Sequence, residues 1–125
     1  MTRRQSRQVA VQILYQMSVG LSPEDACASF WANFAESPHD VFADALVHGT
    51  QAKIAEIDAK ITALSQHWRL ERILKINLAI LRLGVHELLH TTTPRAVVID
   101  EAIELAKHYG ADTGFINGIL DRVTP

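Results

Sequence analysis

Apolar residues recur at three- and four-residue spacing along nearly the whole chain, and no stretch alternates with the period of two that marks a half-buried strand. The pattern predicts an all-α fold. A first helix is expected over 2–18, turning Val9, Ala10, Ile13, Leu14 and Met17 inward, with Gly20 ending it. Ser22-Pro23-Glu24-Asp25 then gives an N-cap, a proline at the first helical position and two acids beside the positive helix end, the start signal of a second helix carrying Phe30, Trp31 and Phe34. Ser37-Pro38 repeats the signal for a long third helix in which Ile54, Ile57, Ile61 and Leu64 keep the spacing and Gly49 marks a point of bending or division.

A helix expected over 69–89 is apolar around most of its circumference, through Ile73, Leu74, Ile76, Leu78, Ile80, Leu81, Leu83, Val85 and Leu88, and so belongs at the centre of a bundle. Pro94 precedes another helix over 95–109, for which Gly110 supplies the C-terminal cap. The last helix, over 114–123, presents Phe115, Ile116, Ile119, Leu120 and Val123. Neither a repeat nor a domain linker interrupts this order, and the 125 residues are expected to form one domain, 1–125.

The 48% apolar and 21% charged residues are those of a folded globular chain. The net charge of −2 conceals a division: +3 over 1–19, −5 over 20–65, +3 over 66–95 and −3 thereafter, so that a polyanion would have to be met locally. Cys27 is the only cysteine, which excludes an intrachain disulfide and a thiolate-rich zinc site. No apolar run is long enough for a bilayer and the start is polar, so a cytoplasmic protein without membrane association is expected.

His86-Glu87-Leu88-Leu89-His90 matches the H-E-x-x-H of zinc hydrolases, where two imidazoles one turn apart hold the metal beside a general base. The helix ends at once, however, and no third histidine follows at the extended spacing. On a helical wheel Arg72, Lys75, Arg82, His86 and His90 share one stripe, whose cations would repel a dication; a solvated or RNA-facing stripe is expected, with Arg82 a candidate RNA contact. Asp112-Thr113-Gly114 matches the aspartic-protease triplet but lies between two helices, where a turn is the expected role. No catalytic residue, metal or cofactor is expected.

Arg3, Arg4 and Arg7 stand on the first turns of the first helix, against its dipole, where folding alone would prefer acids. Guanidinium groups there suit phosphate, to which they bond bidentately while free helix N–H groups add donors. A frayed, solvated terminus is the other reading of the same three residues.

The order of motifs resembles the NusB family. Ile80-Leu81-Arg82-Leu83-Gly84-Val85-His86-Glu87-Leu88-Leu89, then Pro94, Val98-Ile99-Asp100-Glu101-Ala102-Ile103-Glu104-Leu105-Ala106-Lys107 and Phe115-Ile116-Asn117-Gly118-Ile119-Leu120-Asp121 carry the likeness. At the other end, Arg3-Arg4-Gln5-Ser6-Arg7 and Ala10-Val11-Gln12-Ile13-Leu14-Tyr15-Gln16 are similar to that family's opening. The resemblance implies two packed three-helix bundles, no catalysis, and binding of boxA-type single-stranded RNA jointly with the ribosomal protein NusE, in transcription elongation complexes on ribosomal RNA operons. It implies RNA contacts at Arg3, Arg4 and Arg7, a base-stacking role for Phe115, with packing of the last helix as the alternative, and a NusE-facing position for Tyr15, with simple core packing as the alternative. Three departures stand out: Asn77 where the family commonly has an acid at the partner interface, His86 where an aromatic is usual, and a short loop 110–114 without a basic residue before Phe115. Asn77 is accordingly expected to meet NusE through a neutral hydrogen bond. A free-standing relative of the NusB-like domain of ribosomal RNA cytosine methyltransferases, and a helical scaffold without RNA binding, are the alternative readings. Against the former, the chain stops after Pro125 with no catalytic domain.

Overall fold

The computed structural model describes residues 1–32, 40–65 and 69–125. Among them every regular element is helical: α1 Arg3–Ser18, α2 Pro23–Ala32, α3 Val41–Ala52, α4 Ile54–Leu64, a 3₁₀ turn Leu70–Arg72, α5 Lys75–His90, α6 Arg95–Tyr109 and α7 Thr113–Leu120.

Local chemistry sets most of these boundaries. Thr2 caps α1 by accepting from the Gln5 N–H at 3.1 Å, and the Gln5 amide oxygen accepts from the Thr2 N–H at 2.8 Å, a reciprocal capping box that satisfies two of the N–H donors at the helix start. The Ser22 hydroxyl accepts from the Asp25 N–H, with Pro23 opening α2 as its sequence signal predicts. Gly110 closes α6 at φ 65°, a left-handed conformation costly for any residue with a Cβ, and α6 has the bounds that the sequence predicts. Asp112 caps α7 by accepting from the Phe115 N–H at 3.0 Å, so the Asp-Thr-Gly triplet is a helix start.

Two boundaries differ from the sequence pattern. The long third helix is two helices that meet at Lys53, where the chain turns (φ −113°, ψ 19°). The helix expected from 69 starts only at Lys75, because Ile73 and Leu74 are extended and lay the preceding 3₁₀ turn against the core. Phe34 and the Ser37-Pro38 signal fall outside the described residues.

Helices α1, α2 and α3 pack on one another, as do α5, α6 and α7, and α4 lies on α5. The two three-helix bundles are joined where α5 meets α1 and α3. A continuous cluster of buried side chains runs through both, from Val9 and Ile13 on α1 through Ile80, Leu81 and Leu83 on α5 to Ile116, Leu120 and Val123. Gly49 permits the closest approach of α3 to α5: an added Cβ would stand 2.5 Å from Cε1 and 2.6 Å from Nε2 of His86. No helix among the described residues is long and apolar enough to cross a membrane.

Candidate nucleic-acid interface

The three arginines of α1 have three different environments. Arg3 is exposed, and its guanidinium carbon lies 3.8 Å from the centroid of the Phe42 ring on the first turn of α3. Arg4, with 55% of its side chain exposed, makes two hydrogen bonds to Glu101 of α6, at 3.1 and 3.2 Å. These bonds, reinforced by the nearby charge, raise its already high pKa. An ion pair this open to water is screened and readily exchanged for another anion.

Arg7 departs from expectation. It is only 5% exposed and donates to both oxygens of Glu87, itself 2% exposed, at 2.8 and 2.9 Å. These bonds raise the Arg7 pKa against the opposing effect of burial. A phosphate contact would have to leave Glu87 charged and unpaired inside the protein, at a cost of about 3–5 kcal/mol, so the pair belongs to the junction of α1 with α5. It also occupies the carboxylate that the H-E-x-x-H motif would need as a base.

The C-terminal part of the basic stripe is likewise engaged within the fold, while Arg72 and Lys75 at its start are exposed. Arg82 forms a bidentate pair with Asp58 of α4 at 2.9 Å to each oxygen, and His90 meets Glu56 of α4 at 3.2 Å. His86 is buried against Gly49. Burial first, and then His90, lowers the His86 pKa below its ordinary 6.5. The expectation of a solvated or RNA-facing stripe therefore holds only at its start; towards the end of α5, Asp58 and Glu56 of the acidic segment 20–65 meet Arg82 and His90, and His86 is buried.

Phe115 is half-buried on the first turn of α7 and packs against the core, keeping part of its ring at the surface. Tyr15 is 41% exposed and, with Gln12, Gln16, Ile76 and Tyr109, lines an open, largely apolar groove of about 430 Å³. Tyr109 fixes one wall, accepting from Gln12 at 2.9 Å and donating to the Gln8 carbonyl at 3.1 Å. Asn77 is buried, and its side-chain oxygen accepts from the Asp112 N–H at 3.0 Å. It fastens the loop between α6 and α7 to α5, which corrects the expectation of a surface contact. Phe42, under the Arg3 guanidinium, and Asp40, whose carboxylate accepts from the Ser6 hydroxyl of α1, are the residues that sequence reasoning missed, since nothing in their spacing connects them with α1.

The model of the NusB family matches residues 4–125. The chain belongs to the NusB family. It is 42% identical over 126 residues to the transcription antitermination protein NusB of Anaeromyxobacter dehalogenans, covering 97% of this chain and 89% of that one. Among solved structures it is similar to NusB of T. maritima, with a TM-score of 0.84, 30% identity and coverage of 98% of this chain and 89% of that one. It is also similar to a chain in a crystal structure of the antitermination factors NusB and NusE in complex with dsRNA, with a TM-score of 0.79, 28% identity and coverage of 97% and 96%. Within this NusB-family fold, the expected RNA-binding side chains Arg3, Arg4 and Phe115 stay at least partly accessible, Arg82 keeps 18% of its side chain exposed beside Asp58, and Tyr15 is the expected partner-facing one.

Proposed function

We propose that this chain is a transcription antitermination factor, one RNA-binding domain that binds boxA-type RNA jointly with NusE in the transcription elongation complex of the cytoplasm, and that it is not an enzyme. The observation that carries the reading is the likeness, over 97% of the chain, to a component of the NusB–NusE–dsRNA complex. The antitermination protein of A. dehalogenans is matched over 89% of its own length, which supports this reading over the methyltransferase-attached domain.

In this proposal Arg3 and Arg4 contact phosphates, Phe115 stacks on an unpaired base, and Tyr15 with its groove receives part of NusE. Arg7 and Arg82 hold helices together instead of touching RNA, because their bidentate carboxylate pairs leave only 6% and 18% of the arginine side chains exposed, against 55% for Arg4 in its pair with Glu101. Contacts to phosphate serve single and double strands alike, whereas stacking on Phe115 requires an unpaired base.

Size-exclusion chromatography of the chain with NusE and a boxA RNA tests the reading. A single peak containing all three, formed with the single strand in preference to its duplex, is expected. Separate elution of RNA from both proteins at low salt would refute it.

A further inference from the structure

We infer that Phe42 is a positioning residue for RNA, holding the guanidinium of Arg3 in place before RNA arrives. The inference rests on the RNA-binding reading above and extends it to a residue on a different helix. Two helix starts are fastened together at this point. Asp40 caps α3 by accepting from the Phe42 N–H at 3.2 Å, and the other oxygen of the same carboxylate accepts from the Ser6 hydroxyl on α1. The capping box of Thr2 and Gln5 fixes the first turn of α1. Arg3 is thereby set over the Phe42 ring at 3.8 Å, while the guanidinium carbon of Arg7, anchored by Glu87, lies 5.4 Å from the same centroid.

A free surface arginine surrenders its rotamer freedom when it grips a phosphate or stacks on a base. Arg3 has surrendered much of it already, against a ring that leaves its remaining surface exposed. A guanidinium also keeps its donors while stacked, since these lie in its plane and the ring occupies only one face. An arginine alone would supply charge; an arginine held on Phe42 supplies charge at a fixed place on the surface.

The test is a double-mutant cycle of Arg3→Ala and Phe42→Leu, read as the affinity for a fluorescent boxA RNA oligonucleotide in the presence of NusE, with melting temperature and NusE affinity measured beside it. A cation–aromatic contact at an exposed site corresponds to roughly a two- to fivefold change in affinity, which is the loss expected for Phe42→Leu. The loss should vanish in the Arg3→Ala background and be recovered by Phe42→Tyr, with NusE affinity unchanged throughout. Arg3→Lys, an exposed change that keeps the charge and gives up the planar stack, should lose a similar factor even if Phe42→Leu proves too unstable to use. An equal loss from Phe42→Leu in both backgrounds, or wild-type affinity for both Phe42→Leu and Arg3→Lys while Arg3→Ala binds weakly, would overturn the inference and leave RNA binding by α1 intact. Wild-type affinity after Arg3→Ala and Arg4→Ala together would remove the RNA surface itself, and the inference with it.

Discussion

Replacing Arg7 by alanine separates a scaffold arginine from an RNA-binding one. In the wild type its guanidinium and the Glu87 carboxylate satisfy each other at 2.8 and 2.9 Å, with 5% and 2% of the two residues exposed. Arg7→Ala leaves the carboxylate buried without its cation, a loss of about 3–5 kcal/mol, out of a total stability of about 5–15 kcal/mol for an ordinary domain. A domain of this size shifts by roughly 4 °C per kcal/mol, so thermal unfolding should fall by roughly 12–20 °C. Arg7→Met combined with Glu87→Leu removes both charges and keeps apolar volume, and should recover most of that loss, because a desolvated pair can be replaced by hydrophobic packing at little net cost. RNA affinity of the double variant, measured well below its melting temperature, should equal that of the wild type. An unchanged melting temperature for Arg7→Ala, with weaker RNA binding and a shallower salt dependence, would refute the reasoning and return Arg7 to the RNA surface.

Three further outcomes follow from the described contacts. Asn77→Ala frees the Asp112 N–H and should cost about 1–3 kcal/mol of stability while leaving NusE affinity unchanged; weaker NusE binding without destabilisation would restore the interface assignment. Because His86 titrates below its ordinary value in the folded chain, the unfolded chain takes up its proton first. Stability should therefore decline as pH falls through about 6.5, and His86→Phe should flatten the melting temperature between about pH 7.5 and 5.5; an identical slope in both proteins would exclude His86 as the cause. Phe115→Ala should weaken boxA RNA by about 1–3 kcal/mol and scrambled RNA by less, with a smaller fall in stability than the ~3–5 kcal/mol of a fully buried ring; undiminished boxA affinity would make Phe115 a packing residue only.

Local signals made most of the fold legible. Ser22-Pro23 and Gly110 act through their own backbone and one or two neighbours, so the starts and stops they mark can be read from a window of a few residues. The apolar circumference of α5 likewise announced its central place. The division at Lys53 and the extended Ile73-Leu74 were hidden, because the apolar spacing runs on through both while the backbone turns. For the site, the sequence showed which residues carry charge but not which charges the fold spends internally. Arg7 and Glu87 are eighty positions apart, and Arg82 finds Asp58 only once α4 lies on α5. A helical wheel of α5 alone placed Arg82, His86 and His90 correctly on one stripe and left open that α3 and α4 cover it. Arg3 over Phe42 was beyond reach for the same reason.

The salt dependence of RNA binding tests the central claim most directly. A labelled boxA RNA is titrated with the NusE complex of the wild type and of the Arg3→Ala, Arg4→Ala double variant at several salt concentrations. Each phosphate contact on a single strand contributes roughly 0.7 to the slope of log affinity against log salt, so the double variant should bind more weakly with a slope shallower by roughly 1.4. Equal affinities and equal slopes for the two proteins would contradict the account, since the start of α1 would then carry its exposed arginines for some purpose other than RNA.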